Sequence, residues 1–350
     1  MVDRLDAYQR RHTWPGFPIA VAYKLFDDRG PYLAALVTYY GFVSLFPLLL
    51  LFFSTVGYVL HGDHGLQQRL AGSALKGFPI VGPQLQHNIG SFSGSGSALA
   101  VGIAGSLYGG LGIMQAAQAA FNRMYGVPRN EQPNPLKSRL RSLALLGLLG
   151  GGIVLTSALT IFVTTAESAA GAQFGTGLTV AGVLLAYALD VALFSGAFQL
   201  LTARELRLRN VVHGGLVAAA GWQLLQAEGT RYLAHRLNHA GEVYGSFALV
   251  LGLLAYIYLE ALVVVVAVEI NVVANHRLWP RALLTPFTDA VELTEADERL
   301  YRWYARTQRY KGFETVRAEF DRGGSGADAD EAVTRDPVRQ SPPPGDRDPV

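Results

Sequence analysis

Three carboxylates and one amide lie within stretches that are otherwise apolar enough for lipid. Asp190 lies midway along the apolar run 178–201, and Glu260 lies midway along the run 245–275, which also holds Glu269 and Asn271. An ionisable group inside a bilayer is costly, so such residues usually serve a substrate or proton pathway. The alternative is a structural hydrogen bond to a neighbouring helix. The sequence makes these four residues candidates for functional intramembrane polar sites.

The position of these groups around the last apolar run predicts what each one faces. Glu269 follows Glu260 by nine residues, which places it about 180° away on a helix. We expect the small and polar face to point into the bundle, the aliphatic face to contact lipid, and Glu269 to reach the membrane interface. The predicted inward face comprises Gly252, Tyr256, Glu260, Ala267 and Asn271. We also expect Asp190 or Glu260 to be a neutral acid, hydrogen-bonded to Tyr187, Trp222, Gln223 or Tyr256.

A short histidine cluster is the one pattern that resembles a metal site. His61, Asp63 and His64 lie close together in a predicted external loop, and His87 is a possible further ligand. Two histidines and one aspartate need a fourth ligand to complete a zinc site. A solvated loop explains the pattern more simply, so we predict no metal and no cofactor.

Enzymatic and nucleic-acid-binding functions find little support in the sequence. A nuclease needs clustered carboxylates or histidines for metal ions beside a basic groove. The polar connections are basic but hold few acids, such as Glu131 and Glu205. No phosphate-binding glycine loop and no nucleophilic triad can be argued from spacing. We therefore expect a protein that is not an enzyme and does not bind nucleic acid.

The composition is that of a membrane protein with polar ends. Half of the residues are apolar and 16% are charged, against about 25% in an average soluble domain. The chain has no cysteine, which excludes disulfides, thiol catalysis and cysteine metal sites. The first 30 residues carry charges throughout and lack an apolar core, so we expect no cleavable signal peptide.

Six apolar runs define the predicted architecture, an all-α polytopic membrane protein with a six-helix transmembrane domain over residues 31–275. The first run, 31–60, has no charged residue and is long enough to cross a bilayer. Pro47 near its middle should kink the helix. The fifth run is interrupted by polar residues, which predicts that neighbouring helices shield it. The six runs are 31–60, 97–121, 142–165, 178–201, 211–232 and 245–275.

Charge and small-residue patterns extend this prediction. Lys and Arg residues are several times more frequent in the connections predicted to lie on the same side of the membrane as the N-terminus. This predicts that both termini are cytoplasmic. The pairs Gly105/Gly109 and Gly147/Gly151 have the four-residue spacing that lets two helices approach closely.

Polar segments flank the predicted bundle. Residues 1–30 are basic with interspersed aromatic residues and should lie on the cytoplasmic membrane surface, a floppy tail being the alternative. Within the cytoplasmic segment 276–322, Thr294 and Asp297 resemble a helix N-cap. The helix should run to about Tyr310 and either lie on the membrane or dock on the bundle. Residues 323–350 have the composition of a disordered tail.

Dispersed motifs resemble those of a known family. They are Tyr39-Tyr40 with Ser44-Leu-Phe-Pro47, the segment 121–128 with Asn122, Arg123 and Gly126, the opening Tyr244-Gly245-Ser246, and Val268-Glu269-Ile270-Asn271. Together they resemble the YihY/BrkB family of bacterial inner-membrane proteins, formerly labelled ribonuclease BN. Residue 267 is Ala where that family usually has Gly, Tyr256 replaces a common Trp, and the usual Pro after Arg209 is missing. The resemblance covers about residues 20–280 and implies an inner-membrane location. It implies little about activity, because the activity of the family is not settled.

Two functions remain open at this point. The first is transport or translocation of a lipid-like or amphipathic envelope molecule, supported by six helices and polar groups within the bundle. The second is a non-transporting scaffold or accessory protein in envelope assembly. Expected partners are the lipid bilayer and either a lipid-like substrate or envelope-assembly proteins, and the oligomeric state stays open.

Overall fold

The computed structural model describes residues 2–59, 65, 96–170, 172–236, 242–285, 287–288 and 291–320. Within these ranges the regular structure is entirely helical. The short helices α1 (Val2–Arg11) and α2 (Thr13–Asp27) precede α3 (Gly30–Val59), α4 (Gly96–Met124), α5 (Pro135–Ala170), α6 (Ala172–Leu201), α7 (Val212–Arg236), α8 (Glu242–His276) and α9 (Glu295–Thr307). The predicted histidine cluster at residues 61–64, His87 and the predicted tail 323–350 lie outside the described residues.

Each predicted apolar run corresponds to one long helix, α3 to α8. Three helices contain stretches that are long and apolar enough to cross a membrane among the residues described, namely Pro135–Leu159, Val180–Leu201 and Val250–His276. The helical class and the presence of candidate membrane spans are therefore confirmed. A count of six spanning helices and the side of each terminus stay predictions.

The long helices pack in a closed order that follows the chain. Helix α3 packs against α4, α4 against α5, α5 against α6, α6 against α7 and α7 against α8, while α8 packs against α3. Small residues such as Ala34, Ala120 and Ala267 are fully buried where these helices meet. Small side chains let membrane helices approach closely, so van der Waals contact between backbones can hold the bundle together.

The two predicted glycine pairs behave differently. A Cβ atom on Gly109 would lie 2.8 Å from Ser44 Cβ, and one on Gly105 would lie 3.1 Å from Pro47 Cβ. The close approach of α3 and α4 is thus confirmed, and α3 continues through Pro47. The second prediction is wrong, because a Cβ atom on Gly147 or Gly151 would meet nothing within 4 Å.

The outer faces of the bundle are aliphatic. On α6, the side chains of Val180, Val183, Leu184 and Leu185 are 55–63% exposed. A contiguous exposed apolar surface of this kind is unfavourable in water and is the normal surface of a helix that faces lipid. The surface therefore supports a bilayer as the surroundings of α6.

The N-terminal segment is folded, so the floppy-tail alternative is wrong. Its helix α2 packs against α8, and Ala20 and Val21 are buried there. The Tyr23 hydroxyl donates to the Leu283 carbonyl at 2.8 Å. Residues 2–27 are therefore part of one end of the bundle. Their position relative to the membrane surface stays a prediction.

The predicted capped helix is confirmed as α9. The backbone N–H of Asp297 donates to Thr294 Oγ1 at 3.1 Å, and the backbone N–H of Thr294 donates to Asp297 Oδ2 at 3.1 Å. This reciprocal capping satisfies two backbone donors that would otherwise lack partners. Of the two predicted placements, the structure shows docking on the bundle, since Leu300 is fully buried in the core.

Candidate functional site

A lysine on α2 lies buried at the end of the bundle among three other polar groups. Lys24 is 0% exposed, and its ammonium group donates to the Asp28 carboxylate one helical turn later. It also donates to the Met124 carbonyl at 3.3 Å and lies 3.4 Å from Glu269 Oε2 on α8. Lys24, Asp28 and Glu269 are called the buried charge cluster below. Such a cluster is stable only while its charges compensate one another.

Helix α9 closes this cluster with aromatic rings. The Lys24 ammonium lies 4.6 Å from the centre of the Trp303 ring and 5.4 Å from that of Tyr304. The attraction between a cation and a ring face is strongest where water is excluded. Burial, and then the nearby Asp28 carboxylate, raise the pKa of the Tyr304 phenol above its ordinary value. Tyr304 therefore stays neutral.

Several buried polar atoms of this region lack a hydrogen bond of regular geometry. They are the Tyr125 and Tyr304 hydroxyls and both carboxylate oxygens of Glu269, as far as the described residues extend. Glu269 is thus compensated by the charge of Lys24 without a hydrogen bond of regular geometry. A buried polar group without a regular hydrogen bond lowers the stability of the fold. Groups of this kind are therefore found mainly at functional sites.

The predicted environment of Glu269 is wrong. The helical projection placed it on the lipid-facing side, with its carboxylate at the membrane interface. In the structure Glu269 is 0% exposed, because α2 packs on that side of α8. Both faces of this part of α8 are buried, since Ala267 and Asn271 on the predicted inward face are also 0% exposed.

A second buried charge, Arg281, joins three segments. Its Nη1 donates to Asp27 Oδ2 at 2.6 Å, and its Nε donates to Asp297 Oδ1 at 2.8 Å. Burial lowers the pKa of the Arg281 guanidinium, but Asp27 and Asp297 outweigh this effect and hold the pKa above its ordinary value. Asp297 also caps α9 and accepts from the Ala282 backbone N–H, so Arg281 and Asp297 together connect α9, α2 and the segment after α8.

The two acids nearer the middle of the bundle are separate from this region. Asp190 is 9% exposed, and its Oδ2 accepts a hydrogen bond from Gln223 Nε2 at 2.6 Å. Gln223 was one of the predicted partners of Asp190 or Glu260. Tyr256, another predicted partner, lies beside the Glu260 carboxyl group, although the Tyr256 hydroxyl and Glu260 Oε1 form no hydrogen bond of regular geometry among the described side chains. No hydrogen bond or ion pair joins Asp190 to Glu260, both of which are described.

Asn271 and Asn122 serve as connections between helices. Asn271 Oδ1 accepts from the Gly214 backbone N–H at 2.7 Å, and its Nδ2 donates to the Val211 carbonyl at 3.2 Å. The amide therefore satisfies backbone groups at the start of α7. Asn122 Oδ1 accepts from the Ala203 backbone N–H at 2.8 Å, which fastens the end of α4 to the end of α6.

The remaining residues of the sequence motifs have varied environments. Ser44 is buried against Gly109, whereas Arg123 is exposed and Tyr40 is partly exposed. Gly126 has a positive φ of 58°. Tyr244 and Gly245 lie in the part of α8 whose side chains are outside the described residues.

No sequence motif predicted Lys24, Asp28 or Arg281 as site residues. One local signal was available: Lys24 and Asp28 are four residues apart, the spacing of a helical ion pair, in a segment with Val21, Leu25 and Phe26. Nothing local indicated Arg281, whose partners come from two distant segments. In the described part of the chain, His, Asp and Glu form no group of three or more able to hold a metal ion.

Comparison with known proteins shows to which family this chain belongs. The profile of the family described as virulence factor BrkB matches residues 21–287. Among curated relatives, a UPF0761 membrane protein of Psychrobacter sp. (strain PRwf-1) is 24% identical over 305 residues, covering 84% of this chain and 55% of the relative. A UPF0761 membrane protein of Methylibium petroleiphilum is 26% identical, covering 75% and 59%. The inner membrane protein YhjD of Escherichia coli is 25% identical, covering 67% and 74%.

The chain spans less than two thirds of the length of the first two relatives, and no solved structure matches it. The family profile nevertheless covers most of the chain, including α3 to α8 and the residues of the buried charge cluster. The protein therefore belongs to the virulence factor BrkB family of membrane proteins.

Proposed function

We propose that this protein is a multi-pass protein of the bacterial inner membrane that moves a lipid-like or amphipathic envelope molecule, without an enzymatic step. The observation that carries the proposal is the contrast between the outside and the inside of the bundle. The outer face of α6 is aliphatic and exposed, while the interior holds Asp190 and the partly satisfied Glu260.

Acidic side chains inside an apolar bundle lower its stability in a membrane, so their presence there indicates a role. A charged side chain at the centre of a bilayer costs about 2.5–3.5 kcal/mol by insertion measurements. Gln223 offsets part of that cost for Asp190. Glu260 lies beside the Tyr256 hydroxyl, but its Oε1 has no hydrogen bond of regular geometry among the residues described, and a carboxyl group with incompletely used bonding capacity is suited to bind a proton or a polar headgroup. The relatives' names, which say only that they are membrane proteins, are compatible with this role.

Flux in reconstituted vesicles tests the proposal. The purified full chain should speed the movement of a fluorescent anionic phospholipid between leaflets, relative to protein-free vesicles. Glu260→Gln keeps the shape of the side chain but removes its proton exchange, so we expect it to reduce flux at least about a hundredfold, the lower end of the contribution of a proton-transfer group. Glu205→Gln, an exposed acid between α6 and α7, is the matched control and should retain full flux.

The same experiment distinguishes the alternative. No flux from the wild-type protein, together with a partner that stays bound through purification, would favour a scaffold in envelope assembly. Equal flux in wild-type protein and Glu260→Gln would show that Glu260 has a structural role.

We further propose that six helices span the membrane and that both termini are cytoplasmic. The distribution of Lys and Arg between the connections supports this orientation. Reporter fusions at His87, Gln173 and Asn238 should therefore report the outside, and a fusion after Arg281 the inside. An outside signal after Arg281 would contradict the six-helix topology.

A further inference from the structure

A cavity of about 650 Å³ opens beside α9, at the end of the bundle that holds the buried charge cluster. Its walls come from α9, the irregular segment 314–317, the turn after α4 and the end of α8. Trp303 forms part of its wall and also contacts Lys24. This arginine cavity is named for its six arginines: Arg204, Arg299, Arg302, Arg306, Arg309 and Arg317.

Three of the arginines derive their common direction from helical spacing. Arg299, Arg302 and Arg306 follow at intervals of three and four residues, which places them on one face of α9, and Arg309 lies two residues beyond the end of this helix. Two acids, Glu131 and Glu314, also line the cavity. The cavity therefore has a clear excess of positive charge.

Three of the six guanidinium groups already have partners. Arg299 donates to the Arg277 carbonyl at 2.8 Å, Arg302 pairs with Glu298, and Arg309 donates to the Gly312 carbonyl. One of the two lining acids is also engaged, since Glu314 Oε2 accepts the Tyr310 backbone N–H at 2.7 Å.

The other three arginines are available. Arg204, Arg306 and Arg317 line the cavity and are exposed. Their guanidinium groups have no hydrogen bond or ion pair to another residue in the described ranges. Like charges that converge on one concave surface repel each other, and an anion placed between them would remove this repulsion.

The predominance of arginine indicates which kind of anion would fit the cavity. Cytoplasmic loops need only positive charge, which Lys or Arg can supply anywhere along a connection. A guanidinium group instead has a rigid fork of donors that matches two oxygens of a phosphate. Several such forks around one cavity, with Trp303 and His276 as an aromatic wall, suit a ligand with more than one negative charge.

We propose that the arginine cavity binds a phosphate-bearing ligand, either the headgroup of an anionic lipid or a soluble phosphate compound. The inference goes beyond the proposed function and does not depend on it, because binding can occur whether or not the protein moves a lipid.

Pyrophosphate is the probe for the shared chemistry. At constant ionic strength it should raise the melting temperature of the detergent-solubilised full chain by about 5 °C when it saturates the site. The triple variant Arg204→Gln, Arg306→Gln and Arg317→Gln removes the three available guanidinium groups without breaking a described contact. Because three charge-assisted hydrogen bonds are lost, the apparent affinity should fall at least about a hundredfold.

A matched variant separates a specific site from a general positive field. Lys137→Gln, Arg207→Gln and Arg209→Gln removes the same number of exposed charges on the predicted cytoplasmic side, away from the cavity. It should keep the pyrophosphate effect. An equal loss in both triple variants, or no effect of pyrophosphate on the wild-type protein, would overturn the proposal.

A second measurement distinguishes a lipid headgroup from a soluble phosphate compound. In nanodiscs of phosphatidylglycerol, a lipid headgroup in the cavity would abolish the pyrophosphate effect, whereas phosphatidylcholine nanodiscs would preserve it. An equal effect in both lipids would identify a soluble phosphate compound. Because no flux is measured, failure here and failure of the transport proposal are distinguishable.

Discussion

Replacing Lys24 by Met should lower the melting temperature of the detergent-solubilised protein by about 10 °C. Lys24 compensates two carboxylates, Asp28 and Glu269, in a place where all three side chains are nearly inaccessible. Removing one partner of a buried ion pair typically costs about 3–5 kcal/mol, because the remaining charge is left without compensation. For a chain of this size, each kcal/mol lowers the melting temperature by about 2–4 °C.

A second substitution tests the cause of this loss. If the unpaired carboxylate is responsible, Glu269→Gln in the Lys24→Met background should recover part of the lost stability. The two changes would then be strongly non-additive, as expected for residues in one charge network. Lys137→Met, at an exposed position on α5, removes the same charge and should leave the melting temperature nearly unchanged. A wild-type melting temperature for Lys24→Met would contradict the proposed role of Lys24 in the cluster.

The sequence was sufficient to predict the long helices because their signal is local. An apolar run such as 245–275 has to be a helix if it lies in lipid, where each backbone polar group needs a partner within the segment. Its observed counterpart, Glu242–His276, differs by only a few residues at the N-terminal end. The N-cap of α9 could be predicted for the same reason, since Thr294 and Asp297 are three residues apart.

The buried charge cluster could not be predicted in this way. Its members come from α2 and α8, and nothing in either segment encodes their contact. The helical projection placed Glu269 on a lipid-facing side because it took account of α8 alone. From the sequence alone, Lys24 was equally compatible with a basic segment on the membrane surface. Only the packing of α2 on α8 identifies it as the partner of a buried carboxylate.

The second large effect is expected at Gly126, which connects α4 to the wall of the arginine cavity. Its φ of 58° lies in the left-handed region, where a residue with a side chain pays about 1–2 kcal/mol. A Cβ atom there would also lie 2.3 Å from Cε2 and Cζ2 of Trp303. Trp303 cannot retreat freely, because its ring also covers Lys24. We therefore expect Gly126→Ala to displace α9 from the bundle.

Hydrogen exchange of the full chain in detergent measures this displacement. Amides of α9 should exchange at least about tenfold faster in Gly126→Ala, while those of α8 keep their protection, as expected for a local opening. Gly150→Ala is the matched control, since a Cβ atom there meets nothing within 4 Å and alanine favours the helix. Unchanged exchange of α9 in Gly126→Ala would show that the turn after α4 adapts to a side chain. Because Gly126 and Trp303 both line the arginine cavity, the variant should also lose the pyrophosphate effect, and retention of that effect with α9 displaced would place the anion elsewhere.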